Sequence, residues 1–170
     1  MQTKTYFFSP EKKIWKQGYF MQDENKNVVY ETKVIKQSLL GSFTIDFINH
    51  LTNKSEEHKI GAVITSEQSG LFDMFSTKSY FKYDGKNIWD YLHEKGIRID
   101  SSMSGNKLGM TYNVTFEGKP MATLASTAPN GGNSIITGSH WYNITTSEQF
   151  LDLAFLTAFA IAKTEQIYYN

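Results

Sequence analysis

The sequence predicts a mainly β fold, a closed antiparallel barrel of about 10 to 12 strands around a buried hydrophobic C-terminal helix. Three observations lead to this prediction. Turn-forming clusters recur about every ten residues. Several segments between them alternate between apolar and polar residues, and the last long segment is apolar on every side. No Pro- or Ser-rich linker divides the chain, so we expect one domain over residues 1–170.

Strands are predicted where apolar residues recur at every second position. Residues 42–47 place Phe43, Ile45 and Phe47 on one face, and residues 111–116 repeat the pattern. Strands with one dry and one wet face are typical of antiparallel sheets, because buried parallel strands read as continuous apolar runs. Further strand candidates are residues 16–22, 28–36, 56–65, 72–83, 97–100, 120–127 and 133–143.

A short helix is predicted over residues 87–96. Asn87 is a candidate N-cap, and Gly96 can adopt the left-handed conformation that often ends a helix. Ile88 and Leu92 lie four positions apart, so one helical face can dock onto a sheet. We expect this helix to join two halves of the strand order.

The C-terminal segment determines the predicted architecture. Two overlapping capping boxes in residues 145–149 precede residues 150–162, in which only Asp152 and Thr157 are polar. A surface helix would carry a polar stripe, and a membrane-spanning helix needs about 20 apolar residues. We therefore expect the strands to close around this helix, with no transmembrane segment in the chain.

The composition excludes several functional classes. Lys plus Arg number 17 and Asp plus Glu also number 17, so the formal net charge is zero. This balance lacks the basic surface of a general nucleic-acid binder, and no nucleic-acid partner is expected. The chain has no cysteine, which excludes disulfides, thiolate metal sites and cysteine nucleophiles. We expect a cytoplasmic protein without a cofactor or a metal ion.

The predicted plan resembles the tubby C-terminal-like superfamily, which includes the LURP-one-related proteins and the phospholipid scramblases. Residues 18–30 resemble the opening hairpin of that superfamily, and residues 150–166 resemble its closing helix. The resemblance is one of pattern over nearly the whole chain. It implies a barrel around a central helix, and it suggests anionic membrane lipid or a phosphoinositide as the partner, with a location at the membrane periphery.

The chain departs from that superfamily where its known functional groups lie. No predicted strand carries a Lys/Arg cluster, and Arg98 is the only arginine in the chain. Palmitoylation of the scramblase type needs cysteine, and no loop of alternating carboxylates is present for calcium. No functional residue of the superfamily can therefore be assigned to a position in this sequence.

The first candidate ligand-binding site is a basic group beside a tryptophan: Lys12, Lys13, Trp15 and Lys16. Near an anionic bilayer each lysine contributes about 1 kcal/mol, and tryptophan favours the interface. The alternative is a solvated turn whose charge Glu11 partly offsets.

The second candidate site is a pocket at one mouth of the barrel, near His140, Trp141 and Asp152. A carboxylate in an otherwise apolar helix must find a donor or change its protonation. His140 or Tyr142 from the preceding strand could be its partner in a functional acid. The alternative is a structural carboxylate that the positive end of the helix dipole stabilises.

Two weaker patterns complete the sequence-based hypotheses. Two histidines and two carboxylates flank a turn and could bind zinc, although their role as protective edge charges explains them equally well: His50, Glu56, Glu57 and His58. Exposed aromatic residues such as Tyr168 and Tyr169 could serve a protein-interaction domain. The leading expectation is a non-enzymatic binding or scaffold domain, and the alternative is a small-molecule-binding or enzymatic pocket at the barrel mouth.

Overall fold

The computed structural model describes residues 2–10, 18–66, 78–103, 110–127 and 141–165. Two α-helices, α1 (Ile88–Glu94) and α2 (Leu151–Glu165), lie within these ranges, and a 3-10 turn (Glu148–Phe150) precedes α2. The strands of these ranges are β1 Thr3–Pro10, β2 Tyr19–Gln22, β3 Val28–Gln37, β4 Phe43–Asn49, β5 Lys54–Ser66, β6 Lys78–Tyr83, β7 Lys86–Asn87, β8 Ile97–Met103, β9 Met110–Phe116, β10 Lys119–Thr127 and β11 Trp141–Ser147.

All of these strands belong to one antiparallel sheet. Their order is β7-β6-β5-β4-β3-β2-β1-β11-β10-β9-β8. Most strands therefore pair with their neighbours along the chain, as in a series of hairpins. The exception is the pairing of β1 with β11, the first and last strands of the described residues, in which Thr3 lies opposite Ser147. The predicted mainly β, antiparallel class is confirmed.

The predicted closed barrel is wrong, because the sheet is open. Its edge strands β7 and β8 do not pair with each other in the described part of the chain. β7 contains only Lys86 and Asn87, and the chain then turns directly into α1. Helix α1 contacts β6, β7 and β8. A docked helix, rather than a ladder of hydrogen bonds, therefore connects the two edges.

Helix α1 forms as the sequence predicts. The Asn87 side chain accepts a hydrogen bond of 2.9 Å from the Trp89 amide, and Ile88 and Leu92 are buried. After the helix, Gly96 has φ of +88°, and a Cβ at this position would lie 3.2 Å from Glu117 Cγ. Both the positive φ and the close approach favour glycine here.

Removing the α1 N-cap should lower stability measurably. We expect Asn87→Ala to lower the free energy of unfolding by about 1 kcal/mol, because the Trp89 amide loses its acceptor. Urea denaturation measures this change. Asn87→Ser keeps a capping oxygen and should retain most of the stability. Equal losses in the two variants would contradict a capping role for Asn87.

Helix α2 is enclosed on every side from residue 154 onward, as predicted from its sequence, whereas its first turn is partly open, with Asp152 exposed and Leu153 half-buried. Every residue from 154 to 162 is buried. The rings of Phe155 and Phe159 contact aromatic side chains from β1, β2, β3, β4 and β6. The same helix also contacts β10, β11 and α1. The sheet thus wraps around α2 although its edges do not pair.

The start of α2 differs from the predicted capping boxes. Thr145 and Thr146 belong to β11, where the Thr146 hydroxyl donates to the Met121 carbonyl at 2.9 Å. The Thr145 hydroxyl lies 3.2 Å from that of Thr5 on β1. Both hydroxyls therefore bind neighbouring strands, and a 3-10 turn leads into the helix instead.

Candidate functional site

A pocket with a volume of about 140 Å³ lies beside the first turns of α2. Five aromatic side chains line it: Tyr30, Phe47, His58, Tyr83 and Tyr91. Its other walls carry Asn49, Lys54, Glu56, Asp152, Leu153 and Leu156. These residues come from β3, β4, β5, β6, α1 and α2. The fold thus brings side chains that are distant in sequence to one end of the sheet.

Asp152 is held in this pocket by Asn49. The Asn49 side-chain amide donates to its carboxylate at 3.0 Å, and the Tyr30 hydroxyl lies close enough for the carboxylate to raise its pKa. Asp152 also lies in the first turn of α2, where the helix dipole favours a negative charge. The predicted position at the positive end of the helix is correct. Its neighbours, however, come from β3 and β4.

Asn49 connects the β4–β5 turn to the pocket. Its side chain is buried, and its carbonyl oxygen accepts hydrogen bonds from the amides of Leu51 at 3.0 Å and Thr52 at 3.2 Å. Asparagine is suited to such turns because its side chain can bond to the backbone that follows. One side chain therefore shapes the turn and holds the carboxylate of Asp152.

His58 lies between two carboxylates. Its Nδ1 is 2.7 Å from Asp84 Oδ2, and its Nε2 is 3.6 Å from Glu56 Oε2. Asp84 is itself held by the Lys59 amide, which donates to Oδ1 at 2.7 Å. The imidazole also stacks on Tyr83 with 4.6 Å between ring centroids. These contacts fix the orientation of the His58 ring in the pocket wall.

The two histidines of the zinc hypothesis have separate partners. His50 Nε2 lies 3.3 Å from Glu31 on β3, whereas His58 binds Asp84 beyond β6. Within the described ranges, no group of three or more His, Cys, Asp or Glu side chains is arranged to hold a metal ion. The β4–β5 hairpin therefore places the two histidines beside different carboxylates. Both strands are paired on both sides within the sheet, so the interpretation of these residues as edge charges is wrong.

Burial raises the pKa of the Tyr30 and Tyr83 hydroxyls well above the usual value of tyrosine. For Tyr30, the nearby Asp152 carboxylate raises the pKa further. For Tyr83, Tyr91 and Asp84 act in the same direction. Both hydroxyls thus stay protonated in the folded protein and remain hydrogen-bond donors.

Alkaline pH should therefore destabilise the fold through these two tyrosines. Unfolding returns each pKa to about 10, so the contribution is complete below pH 10 and is lost as the pH rises further. We expect each tyrosine to lower the free energy of unfolding by up to about 1.4 kcal/mol per pH unit above that point. Urea denaturation between about pH 9 and 11.5 measures the slope.

The matched control for the alkaline effect is a pair of phenylalanine variants. Tyr30→Phe and Tyr83→Phe each remove one titrating hydroxyl and keep the ring, so each should make the slope less steep. A slope that neither variant changes would contradict the assignment.

Most of the sequence-predicted site residues lie outside the described residues: Lys12, Lys13, Trp15, Lys16 and His140. Tyr168 and Tyr169 also lie outside them. Trp141 is half-buried, and its indole donates to the Ser9 hydroxyl at 2.7 Å. Trp141 begins β11, whereas Asp152 follows the other end of that strand. The described pocket therefore contains Asp152 without Trp141.

Tyr142, the other predicted partner of Asp152, is buried in the core with its ring 6.0 Å from that of Phe8. The pocket residues that the sequence did not reveal are Tyr30, Asn49, Tyr83 and Tyr91. One signal was present: Asn49 continues the inward-facing series Ile45 and Phe47 on β4. An asparagine is rarely buried, so a polar residue in an inward-facing series indicates a polar site at the border of the core.

Comparisons with known proteins identify no relative of this chain. No family model, no curated protein and no solved structure matches this chain. Neither helix within the described ranges has the length and apolarity to cross a membrane. The function must therefore be inferred from the geometry of the pocket and of the surface.

Proposed function

We propose that this protein is a non-enzymatic ligand-binding domain whose ligand occupies the pocket beside α2. The observation that carries the proposal is a wall of aromatic side chains combined with a hydrogen-bonded carboxylate. Small-molecule sites are typically concave and mostly apolar, with a few oriented polar groups. A cavity of about 150 Å³ can hold benzene, so this pocket suits a ligand of similar size.

The groups around His58 favour binding over catalysis of the serine- or cysteine-nucleophile type. Such a site needs a Ser, Thr or Cys side chain within hydrogen-bond reach of its base. The described lining of the pocket contains no Ser, Thr or Cys. His58 instead contacts the carboxylates of Asp84 and Glu56 and the ring of Tyr83. This arrangement supports a preformed recognition surface.

A panel of small probes tests the pocket as a ligand site. We would titrate the ¹⁵N-labelled full chain separately with acetate, phosphate, phenol, imidazole and choline, and follow the amide signals by NMR. At least one probe should shift the signals of Asn49, Tyr91 and Asp152 in a saturable manner. Leu153→Trp places a larger side chain in the pocket wall and should abolish the shifts, whereas Leu153→Met should keep them. The absence of saturable shifts with every probe would overturn the proposal.

We also propose membership of the tubby-like superfamily. The proposal is supported by one antiparallel sheet wrapped around a buried C-terminal helix and by the β2–β3 hairpin near the start of the chain. A crystal structure of the protein, superposed on a tubby domain, tests it. Matching strand order and helix position would support it, and a different strand order would overturn it.

A second candidate function, binding to anionic membrane lipid, is favoured by the tip of the β3–β4 hairpin. Leu39 and Leu40 are almost completely exposed there. Hydrogen bonds shape the turn, since the Ser38 amide donates to the Ser42 carbonyl at 2.8 Å. Adjacent exposed leucines at a preformed tip resemble a surface that inserts into an apolar phase.

Basic side chains lie one row behind this tip. Lys36 on β3 and Lys59 on β5 both lie opposite Thr44 of the intervening β4, and both are exposed. Insertion of the leucines would bring these ammonium groups to the headgroups of an anionic bilayer. We propose on this basis a cytoplasmic domain that binds the membrane peripherally.

Vesicle co-sedimentation at low salt, with and without phosphatidylserine or a phosphoinositide, tests this second function. We expect the protein to bind the anionic vesicles. The double variant L39S/L40S should bind them more than tenfold more weakly, because each substitution removes about 2 kcal/mol of favourable free energy from the burial of a leucine side chain. Leu51→Ser, in the turn at the opposite end of β4, is the matched control and should bind normally. The variant K12A/K13A/K16A should weaken binding to charged vesicles only. No binding at low salt would overturn the lipid proposal.

A further inference from the structure

The aromatic side chains of the pocket form a continuous wall. Tyr83 lies 4.6 Å from His58 and 4.9 Å from Tyr91, measured between ring centroids. Phe47 meets His58 edge-on at 5.4 Å. Tyr30 completes the aromatic lining on the side of Asp152. Several rings around a small cavity are the composition of an aromatic cage.

Aromatic rings attract cations, because the face of each ring carries negative charge. One ring of this wall already has an ammonium group near its face. The Lys95 Nζ lies 5.5 Å from the centroid of the Tyr91 ring. Lys95 does not line the pocket, so it leaves the cavity free for another cation.

The charged groups of the lining also favour a cationic ligand. Asp152 and Glu56 are acidic, and Lys54 is the only lysine or arginine among the described lining residues. Glu56 and Lys54 are both exposed and flexible, and they carry opposite charges. Asp152, held by the Asn49 amide, leaves the lining with one more acidic than basic side chain. Two carboxylates and the ring faces together disfavour an anion.

We infer that the pocket beside α2 binds a small organic cation, such as a quaternary ammonium or a protonated amine; this inference rests on the proposed function. The rings Phe47, Tyr83 and Tyr91 would surround the charged headgroup, and Glu56 would neutralise it. A trimethylammonium group is close in size to the benzene ring that such a cavity can hold. Neutral molecules of the same shape gain only the apolar contacts.

A matched pair of probes isolates the charge. Choline and 3,3-dimethyl-1-butanol have the same shape, but a neutral carbon replaces the charged nitrogen in the alcohol. We expect choline to bind the full chain about two- to thirtyfold more tightly, because a cation–aromatic contact contributes about 0.5–2 kcal/mol. NMR titration of the pocket amides measures both affinities. Equal affinities would overturn the inference.

Four variants test the assignment residue by residue. Glu56→Gln and Tyr91→Leu should each weaken choline binding by about three- to tenfold. Lys54→Met should strengthen it, because the variant removes the competing positive charge. Asp100→Asn on β8 removes an exposed carboxylate from a strand that does not line the pocket and should change nothing. A weaker affinity in Lys54→Met would contradict a cation site.

The same titrations separate the two possible failures. If acetate, phosphate, phenol or imidazole binds in the pocket and choline does not, the cation inference fails and the ligand-binding domain stands. If no probe binds, the proposed function and the inference fail together. If choline binds but Leu153→Trp does not reduce its binding, the site lies elsewhere and the inference is wrong.

Discussion

Replacing Phe155 by alanine should lower the free energy of unfolding by about 3–5 kcal/mol. Phe155 is fully buried in α2, with its ring 4.2 Å from Tyr30, 5.4 Å from Phe8 and 6.2 Å from Phe47, centroid to centroid. These partners come from three different strands that surround the helix. Because the sheet encloses α2, the surroundings cannot collapse easily into the cavity that the variant leaves.

Urea denaturation measures the loss in Phe155→Ala. Phe7→Ala is the control, because Phe7 is half-buried on the outer face of β1 and should lose less than half as much. A domain of this size has roughly 5–15 kcal/mol of stability, so Phe155→Leu supplies a milder variant that should still fold. A loss below about 1 kcal/mol in Phe155→Ala would contradict a central position for this ring.

A charge on the inner face of β10 should prevent folding, whereas one on its outer face should be tolerated. Leu124 is fully buried and lies opposite Tyr112 and Ile144. Its neighbour Thr123 is exposed and points to the other face of the sheet. We expect Leu124→Glu to cost several kcal/mol, because it buries a charge without a partner.

The control substitution is Thr123→Glu, which should change the free energy of unfolding by no more than about 0.5 kcal/mol. Circular dichroism and urea denaturation of both variants measure the contrast. Similar losses in the two variants would mean that the two faces of β10 are not distinguished by burial. Because adjacent residues of a strand face opposite sides, this pair also tests the register of the sheet.

The strands that could be predicted are those whose inner face is regular. Ile45 and Phe47 alternate with polar residues on β4, and both are buried as the pattern predicts. β1 was not predicted, because Tyr6, Phe7 and Phe8 form an unbroken aromatic run without alternation. In the structure, Tyr6 and Phe8 face the core and Phe7 lies half-buried outside. The inward-facing residues of β1 do alternate, but the alternation cannot be seen in the sequence because the outward-facing residue, Phe7, is aromatic as well.

The open edge of the sheet could not be predicted from these patterns. Alternation shows which side of a strand is buried, and it says nothing about which distant strand pairs with it. The short helix after Asn87 was visible in the sequence through its cap and its apolar spacing. Its docking between β6, β7 and β8 is a tertiary arrangement, and that docking replaces the expected barrel closure.

Of the residues that line the candidate site, only Asp152 was predicted from the sequence as part of a pocket. Asp152 stood out because a charge interrupts an apolar helix, and it does line the pocket. Its hydrogen-bond donor Asn49 and its neighbour Tyr30 lie far away in sequence, whereas the predicted partners His140 and Tyr142 were chosen for their proximity along the chain. Contacts between distant strands follow from strand order, which no local pattern records.

The enclosure of α2 can be measured by thiol reactivity, because the chain contains no cysteine of its own. Single cysteines would replace Ala154, Thr157, Ala160 and Ala162, which lie on different faces of the helix and are all buried. Asp152→Cys provides an exposed thiol in the same helix. All four buried thiols should react with a water-soluble disulfide reagent only at the rate of unfolding, while the thiol of Asp152→Cys reacts at once. Rapid reaction at any one of the four would show that a face of α2 is open to water.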